Sequence, residues 1–148
     1  MASVFDAAEW FLQKEPVSHK KLQKLCYYAC AWSYALLDKK LFDDTEFEAW
    51  VHGPASPQLY EKYTGNGWQA IQPEGRSVHF LDDELDLLES VYVTYGESSA
   101  NSLEVLSHSE PPWKIARAGC AANERCSRKI DVNEMKKYYR SIYSGDDA

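Results

Sequence analysis

The chain has 148 residues, a formal charge of −7 and 45% hydrophobic residues, with ten tyrosines and five tryptophans. That length suits one domain, which buries roughly two thirds of its unfolded surface without a disulfide or metal, and the composition excludes disorder. No apolar run reaches the ~18 residues of a membrane helix, and the first residues lack the basic-then-apolar order of a signal peptide, so a cytoplasmic, membrane-free protein is expected.

Val4, Ala7, Ala8, Phe11 and Leu12 share one face of a first helix, which Pro16 ends. Ser18 suits the N-cap of a long second helix running to Lys40. Leu22, Leu25, Cys26, Ala29, Ser33 and Leu36 follow its three–four spacing, and Tyr27, Tyr28, Trp32 and Tyr34 widen the apolar belt. A helix that apolar is expected at the centre of the domain. Residues 47–52 alternate weakly as a short strand, which the Gly53–Pro54 step stops. Ser56 and Pro57 open a short helix that ends in "TGNG".

A hairpin or edge strand is expected at 77–80. Asp82, Asp83 and Glu84 occupy the first turn of the next helix, where its dipole favours them, and Gly96 stops it. Leu85, Leu88, Val91, Tyr92 and Tyr95 form its stripe. A short helix through "SSANSLEVLSHSE" and another, opened by Pro112 and closed by Gly119, follow. Residues 120–129 read as loop. Asp131 and Glu134 form a capping box for the last helix, and residues 144–148 read as a flexible tail. The fold class is mainly α: a compact single helical domain around a buried second helix, with at most a minor two-stranded β element.

Cys26 and Cys30 read as buried thiols and Cys120 and Cys126 as loop thiols. Their spacing fits no zinc site, so no metal and no cofactor are expected. No phosphate loop, H-E-x-x-H or G-x-S-x-G motif is present. His108 precedes Glu110 by two residues, which admits an acid–base pair or a capped helix end before a proline corner. Trp50, Trp68 and Trp113 suit core anchoring or stacking. Charge is segregated: residues 38–113 hold fifteen acids against four bases, whereas residues 114–140 hold eight bases against three acids. The acidic balance disfavours nucleic acid as a general partner, and the basic stretch reads as a solvated helix face or a contact for a nucleic acid or an acidic partner.

Five segments then occur in order: "KLQKLCYYACAWSYALLDKKLF", "FEAWVHGPASPQLYEKY", "LLESVYVTYG", "SANSLEVLSHSEPPWKIAR" and "MKKYY". Together they resemble the Panacea domain family of SocA-like antitoxins, also described as phage-associated GepA proteins. The likeness covers about Ser3 to Tyr143, so residues 1–143 are expected to form the domain. Ala55 stands where the family usually has an aliphatic residue. The resemblance implies a non-enzymatic antitoxin that binds a cognate toxin, often one that blocks translation. It also implies an alternative role as an adaptor to the ClpXP protease, or as a regulator of a host protein.

Trp50, Gly53, Pro54, Pro57 and Tyr60 fall on family-pattern positions and are expected to fix a corner, with Trp50 buried as an aromatic anchor and Trp113 as a further structural-motif residue. Asp43, Asp44, Glu46 and Glu48 just before the corner, with Trp50, His52 and Tyr60 on it, are the candidate partner-binding residues. An acidic face complements a basic toxin surface, while the other reading of these acids is a solvated surface.

Overall fold

The computed structural model describes residues 2–146, with side chains through Tyr143. Helix α1 (Val4–Lys14) starts at Ser3, whose hydroxyl accepts from Phe5 N–H in a capping box with Asp6. It buries the five apolar residues that its spacing selects. Helix α2 (His19–Trp32) is capped by the Ser18 hydroxyl and is buried without a break from Leu22 to Ala31. It does not run on to Lys40. The helix widens into a π turn over Ser33–Leu37 and ends at Asp38, a left-handed residue with φ +52. Side chains take up the carbonyls this frees: Arg140 Nε donates to Ala35 O at 2.8 Å and Ser33 Oγ to Lys39 O at 2.9 Å.

Strands β1 (Glu48–Trp50) and β2 (Gly53–Ala55) pair antiparallel with Ala49 opposite Pro54. Gly53 and Pro54 therefore form the second strand of the hairpin rather than ending the first. Gly53 supports the reversal at φ +108, a conformation rarely open to other residues. Helix α3 (Pro57–Tyr63) follows, with Ser56 as cap and Pro57 at its first position as the sequence predicts.

The strand expected at 77–80 does not form. The residues just before it, 74–76, run along α1, where the Glu9 carboxylate accepts the Glu74 and Gly75 N–H groups at 2.9 and 2.8 Å and Gln13 donates to Arg76 O at 2.7 Å. Side chains of a helix thus replace a neighbouring strand as hydrogen-bond partners.

Helices α4 (Asp82–Tyr95), α5 (Ala100–Ser109), α6 (Pro111–Ala116) and α7 (Val132–Asp146) complete the chain. Asp147 and Ala148 lie outside the described residues, and with them the end of the expected tail. The seven helices leave one two-stranded sheet among the described residues, so the fold is mainly α. Helix α2 is its axis, packed against α1, α3, α4, α5, α7 and β2. No helix of the described residues is long and apolar enough to cross a membrane.

Much of the tyrosine content is core with polar ends satisfied. Buried Glu110, at the start of α6, accepts the hydroxyls of Tyr28 and Tyr139 at 2.9 and 2.8 Å. Desolvation raises its carboxyl above the ordinary range, against the lowering effect of those two hydroxyls. Tyr28 stacks on Tyr95 at 3.9 Å, and Trp32 donates to the Tyr95 hydroxyl at 2.8 Å.

Candidate functional site

The "KLQKL" turn of α2 places Leu22 and Leu25 in the core and turns Gln23 and Lys24 toward the hairpin. Gln23, 4% exposed, acts as a substitute strand: its Oε1 accepts Ser56 N–H at 2.7 Å while its Nε2 donates to Ser56 O at 3.0 Å. Lys24, 3% exposed, donates its ammonium to Pro54 O at 3.1 Å. The outer edge of β2 is therefore closed by two side chains and offers no free ladder. A Cβ on Gly53 would lie 2.7 Å from Lys24 Cε and 2.9 Å from Ser107 Oγ, so a side chain here must displace both in addition to adopting an unfavourable φ. Burial pushes Lys24 down to about 7, with Glu104 opposing and Lys20 reinforcing the shift. Burial likewise pushes His19 down to about 4, with Lys24 adding to the effect.

The hairpin is gripped from the opposite side by α5, α6 and the loop beyond. Buried Arg117 donates to Ala49 O at 2.9 Å and to Ala121 O and Glu124 O at 2.9 and 2.6 Å. Its guanidinium lies 5.2 Å from the Trp113 ring. Trp113 Nε1 donates to Trp50 O at 2.8 Å, and the His108 ring stacks on Trp113 at 4.1 Å. Ala49 N–H bonds to Arg128 O at 2.8 Å and Ile130 N–H to Phe47 O at 2.9 Å, which pins β1 to the segment before α7. Thr45 and Ser56 hydroxyls, 2.7 Å apart, lock the start of α3 to the approach of β1.

Outward, the hairpin presents a different surface. Trp50 is half-buried, donates to Glu48 Oε1 at 2.8 Å and meets Tyr60 edge-on at 5.2 Å. Tyr60 is 47% exposed. His52 stands exposed at the turn with Nδ1 3.2 Å from Glu104 Oε2, and Glu104 also pairs with Lys20. Beside them runs an open groove of about 280 Å³ lined by Asp43, Asp44, Thr45, Glu46, Glu48, Lys40, Lys129, Pro57 and Gln58.

Residues 22–114 match the family described as Antitoxin SocA-like, Panacea domain, which is more than half of the 148 residues. The chain belongs to the Panacea family. Antitoxin SocA of Caulobacter vibrioides (strain NA1000 / CB15N) is 31% identical over 139 residues, spanning 84% of this chain and 73% of that protein. No solved structure matches. The matched stretch of this Panacea domain begins at the α2 turn that holds the hairpin and ends just after Trp113, which grips it from the other side.

The candidate residues divide by direction. Gly53, Pro54 and Pro57 build the corner and Trp113 braces it, whereas Trp50 is only half-buried because its indole lies between Glu48 and Tyr60 at the rim. Glu48, Trp50 and Tyr60 form one contiguous face, and the four acids line one groove. Asp44 is already engaged: it accepts the Ser3 hydroxyl at 2.5 Å and Val4 N–H at 3.0 Å, tying α1 to the Panacea corner. His108 and Glu110 engage different partners, the Trp113 ring and the core tyrosines respectively. The basic stretch is largely absorbed by structure: Arg117 is buried, Arg128 bonds Ala118 O, Lys129 pairs with Glu46, and Lys136 and Arg140 pair with Asp38. Sequence reasoning missed Gln23, Lys24 and Arg117. The available signal was two polar residues, Gln23 and Lys24, inside the apolar belt of α2.

Proposed function

We propose that this Panacea domain is the antitoxin of a toxin–antitoxin pair, and that it neutralises its toxin by direct contact through the outer face of the hairpin and the adjoining acidic groove. One observation carries the reading: the family match spans the hairpin together with α2 and α6, which hold it rigid. A relative bearing the name Antitoxin SocA supports the same role.

A preorganised hairpin loses little freedom on docking, which favours affinity. Half-buried and exposed aromatics at its rim suit an interface core, and Asp43, Glu46 and Glu48 suit a toxin whose surface is basic, as that of a protein acting on nucleic acid usually is.

Co-expression with the product of the adjacent reading frame tests this. That product is expected to arrest growth alone, and the Panacea protein to restore growth and co-purify with it. Restoration without a stable complex, abolished when ClpXP is absent, favours delivery to the protease instead. A neighbour that is harmless to the cell contradicts the reading.

A further inference from the structure

The five tryptophans are not equivalent. Trp10 packs edge-on against Phe11, Trp32 donates to Tyr95, Trp50 to Glu48 and Trp113 to Trp50 O. Trp68 is 92% exposed.

It stands on a segment fixed at both ends. Tyr63 closes α3 in the core, and buried Ile71 pairs with Val17, its N–H bonding Val17 O at 2.8 Å. Between these anchors residues 64–70 are all exposed. Two successive turns, closed by Gly67 N–H to Thr64 O at 3.3 Å and Gln69 N–H to Asn66 O at 3.1 Å, hold the indole away from the body. Gly67 takes φ +58 to join them, and nothing lies within 4 Å of the place where its Cβ would stand. An indole facing water exposes a large apolar area with no return inside the folded chain. A fixed backbone lowers the ordering cost of its insertion into a partner.

The partner's chemistry follows from the neighbours. Residues 64–72 carry no charge. Lys62 is turned toward Glu74 at 3.6 Å and over the Phe5 ring at 5.2 Å. Stacking on bases needs a cationic track for the phosphates beside the aromatic, and residues 64–72 supply none. An apolar pocket on a protein fits instead. Helix α3 joins this tip to the hairpin face: seven residues at ~1.5 Å each span only ~10 Å, with Tyr60 between them. A standard partner footprint of ~800 Å² is wider than α3 is long.

We propose that Trp68 is a second anchor of the toxin-binding surface, inserting into an apolar pocket of the same toxin that covers the hairpin. The proposal rests on the antitoxin reading above. Calorimetric titration of the purified adjacent-gene toxin into wild type, Trp68→Ala and Trp68→Phe tests it. Wild type binds, Trp68→Ala weakens Kd by about 30-fold or more, Trp68→Phe recovers part of the loss, and all three melt alike.

Wild type binding with Trp68→Ala within about twofold of it overturns the anchor alone and leaves the antitoxin reading in place. Failure of wild type to bind overturns both. Retention of a labelled oligothymidylate that disappears in Trp68→Ala puts a nucleobase in place of the protein pocket and also overturns the proposal.

Discussion

The inner and outer sides of the hairpin come from the same eight residues, 48–55, and obey opposite rules. Inward, backbone groups are closed by side chains: buried Gln23 and Lys24 on one side, buried Arg117 and half-buried Trp113 on the other. Outward, Trp50 and His52, with Tyr60 of α3 beside them, keep surface in water; each of the first two meets one acid, and Tyr60 meets the Trp50 and His19 rings. Buried polar contacts fix position at the cost of desolvation, whereas the outer side keeps its apolar area for something else to cover. The difference teaches that a shared sequence motif need not mark one role. Its glycine and prolines serve the inner side, and its tryptophan and tyrosine serve the rim.

The sharpest break of the inner side is Gly53→Ala. The substitution combines an unfavourable φ with a contact of 2.7 Å to Lys24 Cε. A loss of about 3 kcal/mol or more is expected in urea denaturation, and a loss below ~1 kcal/mol means that the Lys24 seat is soft.

Lys24→Met addresses the same seat through pH. Burial holds the Lys24 ammonium at about 7 where the ordinary value is 10.5. Between those values the unfolded chain binds a proton that the folded chain lacks, so this group makes stability rise with pH. Its cost is complete below the lower value and gone above the upper. The thiols of Cys26 and Cys30 and the buried tyrosines are raised by burial and act in the opposite sense once the unfolded chain ionises. The useful window is therefore from about pH 7 to ~8.5. Wild type is expected to gain up to ~1.4 kcal/mol per pH unit from this group there, and Lys24→Met to lack that slope. Equal slopes in the two proteins contradict a buried ammonium.

At the rim, Trp50→Ala is expected to cost only about 1–2 kcal/mol, since its indole is half-buried rather than enclosed. A loss of 4 kcal/mol, about the cost of a fully buried aromatic, returns Trp50 to the inner side.

The smallest effect on stability belongs to Asp43→Lys with Glu46→Lys, both exposed. Asp44 and Glu48 are left intact because they hold α1 and Trp50. Melting is expected within ~0.5 kcal/mol of wild type. Association with the toxin slows about tenfold at low ionic strength, and the difference shrinks with salt. Unchanged association rates make the groove a solvated surface.

Helix positions were legible because their apolar residues recur at three–four spacing and their caps are local: Ser18, Ser56 with Pro57, and the acids in the first turn of α4 all act within four residues of where they stand. What escaped depends on partners distant in sequence. The π turn that ends α2 is settled by Arg140, and the path of residues 74–76 by Glu9 and Gln13. Asp44 looked like one of four equivalent acids, and only the fold brings it to Ser3. At the site, the corner was visible as Gly-Pro and Ser-Pro steps, but the burial of Lys24 and the exposure of Trp68 are set by what the rest of the chain does or does not place against them.

The central claim is that the outer side binds a partner while the inner side holds it in place. The most direct test is the His52→Ala, Tyr60→Ala double variant, measured for toxin affinity and for melting in the same buffer. Both side chains are exposed, so unfolding free energy is expected within about 1 kcal/mol of wild type while affinity falls about 30-fold or more. Wild-type affinity in a protein of wild-type stability contradicts the claim.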